Sequence, residues 1–285
     1  MNRSFSLRLC LLSSLCVCFV GETPADETKA SKKTAIDKIP TYVIQRAKSK
    51  IAIDGEIDEE DWKNAKSVGD FVFGYLKETT GNEEQTVFKI LWDDEHLYFS
   101  VVCEDKSLLS RHTDRDGRVP EDDSVEVYIT PNIKKADRHY AFYTNVHAAL
   151  YDAKFDRNKA SIDKKSIQKK STDKTAKNGK KSSWDAKGVK VKATFDGTLN
   201  NHKDTDRSWS LEMAIPFENF SDASIPLPPK PNDIWKLNPN RHAYMPDGSC
   251  LYSQWAPTIA ATGSFWGPEF FGKVIFSGEA ASSER

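Results

Sequence analysis

The chain is 285 residues long, 38% hydrophobic and 29% charged, with 41 basic against 42 acidic side chains and a formal net charge of −1. That apolar share suffices for one sizeable core, and the balanced charge gives no global pull toward nucleic acid. Nothing after the first 20 residues approaches the length of a membrane-spanning helix.

At the N-terminus, Arg3 and Arg8 precede an apolar run from Leu9 to Val20. A positive segment before a short apolar one is the pattern of a secretory signal, too short to be a comfortable membrane anchor. Thr23-Pro24-Ala25 sets small residues where cleavage after Ala25 is expected, so residues 1–25 read as a signal peptide and the mature protein as secreted or periplasmic, with no membrane contact. Cys10, Cys16 and Cys18 leave with the signal, and Cys103 and Cys250 remain. In an exported protein such a pair forms a disulfide, or else Cys103, with inward strand parity, stays a buried free thiol. Residues 26–40 are polar and Lys-rich and read as a linker.

The fold begins with Tyr42-Val43-Ile44 as a strand, then Ile51-Ala52-Ile53 as another and Asp54-Gly55 as a turn. Asp58 is placed to cap a short helix over Glu59–Ala65, anchored by Trp62 in the core. Asp70–Phe73 is a short strand. Thr86–Trp92 and Leu97–Cys103 alternate apolar and polar residues on either side of the break Asp93-Asp94-Glu95-His96, the signature of a hairpin. After a charged loop, Ser124–Ile129 makes a third strand. His139–Val146 alternates Tyr140, Phe142 and Thr144 with Ala141, Tyr143 and Asn145, so either Tyr143 or Tyr140 is expected to face solvent.

Residues 154–187 carry eleven lysines among Ser, Thr, Asp and Ala, too little apolar content for a core segment, and read as a solvated loop. Strands resume at Gly188–Phe195. Trp209, Leu211, Met213, Ile215 and Phe217 share one parity of the next strand, and Glu218–Phe220 begins a helical turn. Trp235–Asn238, Tyr252–Pro257 and Phe271–Phe276 are the last strands, and Trp92, Trp209 and Trp235 fall on core parity. Residues 278–285 form a polar tail expected to fray. Roughly ten or more short strands, few short helices and frequent turns define an all-β antiparallel β-sandwich of jelly-roll or immunoglobulin-like type, one domain over residues 41–277.

Beyond the signal there is no Gly-x-Ser-x-Gly, no phosphate-binding loop, no His-Glu-x-x-His and no Cys-x-x-Cys. The histidines have no ligand spacing, and no carboxylate pair is singled out for glycoside hydrolysis, so no enzyme is expected. Asp114, Asp116 and Asp122 offer hard oxygen ligands to Ca²⁺ in a loop whose spacing is not that of an EF-hand; the plain alternative is a solvated loop. Sugars present flat C–H faces to aromatic rings and hydroxyls to carboxylates and amides. Trp266, in the Gly/Pro-bounded loop Gly263–Pro268, is either such a platform or a plug at the edge of the sandwich.

A further set of residues stands in order along the chain: Ile53-Asp54-Gly55 with Trp62, Leu91-Trp92-Asp93 with Leu97-Tyr98, and Asp123-Ser124-Val125-Glu126. Phe142 with Asn145, Glu212–Phe217, Trp235 with Asn238, Ser253–Pro257, and Phe265-Trp266 before Phe271–Val274 complete it. Together, over about residues 42 to 276, they resemble the family 9 carbohydrate-binding modules. The resemblance implies an antiparallel β-sandwich that binds cellulose, xylan chain ends and small sugars between two tryptophans, helped by a glutamate and an arginine. Trp266 matches one clamp tryptophan and Glu126 the glutamate. Pro120 stands at the other tryptophan and Tyr143 at the arginine, so Tyr143 is offered as replacement stacking area, with Asn145 and Trp255 completing the expected site. The family also implies structural calcium. A sister group with this sandwich binds haem b, for which Met213 is the available axial ligand. The leading expectation is an exported non-catalytic module that binds poly- or oligosaccharide in polysaccharide breakdown. A structural or partner-binding envelope protein and a haem-b electron-transfer subunit are the alternatives.

Overall fold

The structure, a computed structural model, describes residues 39–73, 84–135, 138–156, 184–258 and 267–282. The signal segment, the linker up to residue 38, residues 157–183 of the Lys-rich stretch and the loop that holds Trp266 lie outside them. Among the described residues there are twelve strands: β1 (Thr41–Arg46), β2 (Val72–Phe73), β3 (Thr86–Trp92), β4 (His96–Glu104), β5 (Ser124–Thr130), β6 (Arg138–Asn145), β7 (Leu150–Asp156), β8 (Lys190–Asp196), β9 (Ser208–Pro216), β10 (Ile234–Tyr244), β11 (Cys250–Gln254) and β12 (Gly272–Ala280). One short helix, α1 (Glu60–Asn64), lies between β1 and β2.

The strands run β7-β6-β5-β10-β12-β1-β3-β4-β9-β8, with β11 on β10 and β2 on β11. Most neighbours are antiparallel, but β1 runs parallel to both β12 and β3 and so joins the two halves of the sheet. β10 pairs with β5 along one edge; along the other its first half pairs with β12 and its second with β11. The halves close on one another as a β-sandwich because each strand alternates apolar side chains toward the interior. Val125, Val127, Ile129, Tyr140 and Phe142 from one half meet Phe88, Ile90, Leu97, Phe99, Leu211 and Met213 from the other in one core. Trp92, Trp209, Trp235 and Cys103 join it, as their parity predicts, and Met213 is fully buried there as packing.

A second, smaller cluster lies on the outer face of β3, β4 and β9, under α1. It explains why the residues flanking Asp54-Gly55 and those around Glu212 belong together despite being over 150 positions apart. The Glu212 carboxylate accepts the N–H of Asp54 (3.1 Å) and Gly55 (3.0 Å) on one oxygen and the Trp62 indole N–H (2.7 Å) on the other. Gly55 has φ +95°, and a Cβ there would stand 3.1 Å from the backbone of Ala193, so the turn requires glycine. Trp62 is fully buried against Leu91, Tyr98 and Ala214.

Several expectations are corrected. Ile51–Ile53 pairs with no strand; Ile51 is instead buried under α1. Glu59 rather than Asp58 precedes the helix, and its side chain makes no cap hydrogen bond to it. The Lys-rich stretch starts late and ends early: β7 runs to Asp156, and Trp184 packs edge-on against Tyr140 and Phe142. The C-terminus does not fray at Ser277. β12 continues to Ala280, and Ala281 is buried, its N–H donating to the Arg46 carbonyl. Cys103 and Cys250 are free thiols and form no disulfide: Cys103 points into the core between β3 and β9, whereas Cys250 sits at the start of β11 opposite Tyr244. Tyr140 and Tyr143 are both buried, since a segment outside the sheet covers the second face of β6.

Candidate functional site

That second face carries an unusual set of side chains. Strand register places Tyr151, Tyr143, Glu126, Asn240 and Gln254 in one row across β7, β6, β5, β10 and β11. The next row is Asn145, Ser124, His242 and Tyr252. Opposed residues of an antiparallel sheet share a face, so the rows form one continuous polar and aromatic surface on the side away from the core. Phe271 stacks on Tyr128 at 5.7 Å between ring centres and closes one end of it.

Glu126 is the hub. One of its oxygens accepts the Tyr128 hydroxyl at 2.9 Å; the other lies 3.1 Å from Nε2 of His242. Because Tyr128 gives its proton to Glu126, the Tyr143 hydroxyl, 3.1 Å away, donates to Tyr128. Burial, with the nearby Glu126 charge, raises both phenols well above the ordinary tyrosine value, so they remain protonated donors. A short 3-10 turn, Val119–Glu121, stands over the surface. Val119 packs against Tyr128 and Tyr143, and the Pro120 carbonyl accepts the Tyr244 hydroxyl (3.0 Å) and the His242 Nδ1 proton (3.3 Å). Glu126 is therefore only 3% exposed, and the half-buried Pro120, Tyr151 and Tyr252 form the rim.

The expected site residues fall in different places. Glu126 and Tyr143 are direct cross-strand partners joined through Tyr128. Tyr143 is 5% exposed, its ring edge-on to Tyr128 and Tyr151. Asn145 shares the face but is saturated: its amide donates to the His112 carbonyl and Asp122, and its oxygen accepts the Ala149 N–H. Trp255 lies elsewhere, in the main core, with its indole N–H on the Val68 carbonyl and its ring where any Cβ on residue 272 would fall. Trp266 lies outside the described residues.

Among the aspartates, Asp122 is fully buried and accepts the N–H groups of Arg111 and His112 and the Asn145 amide. Burial pushes its carboxyl up, but these donors outweigh it and hold the group below the usual carboxylate range. Asp114 is exposed. Asp116 meets two residues the sequence did not single out, Asp152 and Asp185, with one ligand atom of each within 4.8 Å of the others. Asp152 already holds the Arg115 guanidinium and the Ala186 N–H. Burial lifts its carboxyl to about 6.

His242, Tyr128 and Asn240 were missed. The signal for them existed: Asn238, Asn240 and His242 continue the alternation of Trp235–Asn238 by four residues, and Tyr128 shares the parity of Glu126.

The family described as carbohydrate family 9 binding domain-like matches residues 53–228, more than half of the chain. The chain belongs to that family. It is a non-catalytic carbohydrate-binding module. Among the solved structures that share its fold are the following three. A putative carbohydrate-binding protein from Bacteroides uniformis is 18% identical, with a TM-score of 0.60, 84% of this chain and 100% of that one covered. A family 9 module from Caldicellulosiruptor kristjanssonii in complex with glucose is 16% identical, with a TM-score of 0.52 and coverage of 86% and 100%. The same organism's module in complex with cellotriose is also 16% identical, with a TM-score of 0.50 and coverage of 86% and 98%. No curated protein matches the chain. The Asp54-Gly55, Trp62 and Glu212 knot lies within the matched span, so part of the module's signature is structural.

Proposed function

We propose that this module is exported and takes up a saccharide on the outer face of β5, β6 and β10, with Glu126 as the central acceptor of sugar hydroxyls and Trp266 as the stacking ring. The observation that carries the reading is the Glu126 row: a carboxylate flanked by phenols and amides, on the sheet face away from the core. A carboxylate has about four acceptor positions; the Tyr128 hydroxyl occupies one of Glu126's, and His242 Nε2 lies in ion-pair contact with its other oxygen. The solved modules with glucose and cellotriose make neutral hexose chains the first probes. The test is tryptophan fluorescence and affinity electrophoresis with glucose, cellotriose and xylo-oligosaccharides. Trp266→Ala is expected to abolish retention and leave the melting curve nearly unchanged; undiminished retention would remove Trp266 from the site.

One observation favours a second reading, a partner-binding envelope protein that kept the fold. The Val119–Glu121 turn covers the surface and leaves Glu126 3% exposed. Silence of the folded protein across neutral and acidic glycans would decide for it. The calcium expectation moves with Asp116 to Asp116, Asp152 and Asp185, whose three carboxylates are hard oxygen donors. Calcium is expected to raise the melting temperature of the native chain and not that of Asp152→Asn. Sequencing the N-terminus of the mature protein tests export, with Asp26 expected first.

A further inference from the structure

His242 stands between two acceptors. Its Nδ1 lies 3.3 Å from the Pro120 carbonyl, and its Nε2 lies 3.1 Å from a Glu126 oxygen. Neither partner has a proton to give, since a carbonyl and a carboxylate only accept. A neutral imidazole carries one N–H, so in either tautomer one unprotonated ring nitrogen would lie within 3.3 Å of an oxygen. The doubly protonated ring removes that repulsion: Nδ1 donates to the Pro120 carbonyl, and the positive charge lies in ion-pair contact with Glu126 at Nε2. The ring cannot turn away cheaply, because Tyr252 packs edge-on against it at 4.7 Å and the residue is 7% exposed.

We infer that His242 is a positioning residue of the saccharide site: as an imidazolium held between Pro120 and Glu126 it fixes the orientation of the Glu126 carboxylate, so that sugar binding weakens as the ring loses its proton. This rests on the reading of Glu126 as the sugar acceptor.

The surroundings suit this role. Burial disfavours the ring's charge, but Glu126 and the Pro120 carbonyl outweigh it and hold the ring above the ordinary histidine value. The other titratable groups around it are Tyr128 and Tyr143 behind Glu126, Tyr252 on β11, Tyr244 on the same Pro120 carbonyl, Cys250 opposite Tyr244, and Glu121, which pairs with Arg118. Burial pushes the Tyr244 phenol to about 12 and the Cys250 thiol to about 11, so neither changes charge near neutrality. Glu126 is the negative partner that contacts the ring. The sign follows: with Glu126 ionised, a raised ring value means the pair is complete below that value and is lost as pH rises through it.

Two measurements on the full chain test this. The first needs no ligand. NMR of the His242 ring nitrogens should find both protonated at pH 7, with a titration above that of an ordinary histidine which moves down in Glu126→Gln. A neutral ring at pH 7 would overturn the inference. The second follows cellotriose affinity from pH 6 to pH 9. The native protein should lose roughly tenfold or more in step with the ring titration, as expected when a buried ion pair that orients the carboxylate is lost. His242→Gln should bind weakly with a flat profile. Flat binding by the native protein would overturn the role of His242 and leave the sugar site standing. No cellotriose binding at any pH, with the ring titrating as expected, would sink the sugar site and with it this role.

Discussion

Two glutamates, one on each outer face of the sandwich, teach different things. Glu212 on β9 is fully buried and receives three N–H donors, all supplied by the Asp54-Gly55 turn and Trp62. Glu126 on β5 is almost as buried but, among the described residues, meets a phenol that donates to it and a histidine ring in ion-pair contact, both of which can move or titrate. The first carboxylate is closed off by backbone and a core indole and can only hold the fold together. The second keeps acceptor positions free beneath a single short turn. Burial alone does not separate a structural carboxylate from a ligand-binding one; the identity of its donors does.

The largest expected effect falls on the Glu212 side. Trp62→Ala should cost about 3–5 kcal/mol of stability, through a cavity and an unpaired buried carboxylate oxygen, measurable by urea unfolding. A loss below about 1 kcal/mol would mean that α1 does not clamp this face. The next effect is a pH dependence. Burial lifts the Glu212 carboxyl from 4.5 to about 7, against the pull of its N–H donors. A carboxyl raised in the folded state gives stability that is full below the unfolded value and is lost as pH rises through the folded one. Stability should thus fall between about pH 4.5 and 7 by on the order of 1–2 kcal/mol once screening is allowed for, and Glu212→Gln should flatten that window. The smallest effect on stability belongs to Glu126→Gln, about 1 kcal/mol or less because the amide keeps one acceptor oxygen. The same change should abolish cellotriose retention. If both glutamate variants altered stability alike, the contrast between the faces would collapse.

Much of the first face was legible because its motif residues recur in a known order. Ile53-Asp54-Gly55, Trp62 and Glu212 could be listed from the sequence, but their convergence on one carboxylate could not, since it depends on α1 folding back over β9. On the second face Glu126 and Tyr143 were named and are partners, whereas Trp255 belongs to the core and Asn145 pins a loop. A tryptophan or asparagine at a matched position has the same letters whether it faces a ligand or its own backbone. His242 was missed because the strand at Trp235–Asn238 was ended too soon, and because a lone histidine has no periodicity of its own.

The sequence by itself determined which side chains point into the core. Alternation along a strand is a local property, and Phe88, Phe99, Trp209, Met213 and Phe142 all obey it. It also determined the family, through motifs that keep their order. Only the tertiary structure decided what lies over the second face of each half, that β12 runs on past Ser277, and that His242 stands between Glu126 and Pro120. These contacts join segments more than a hundred residues apart in the chain. They are set by strand register and loop docking, to which no local pattern of residues responds.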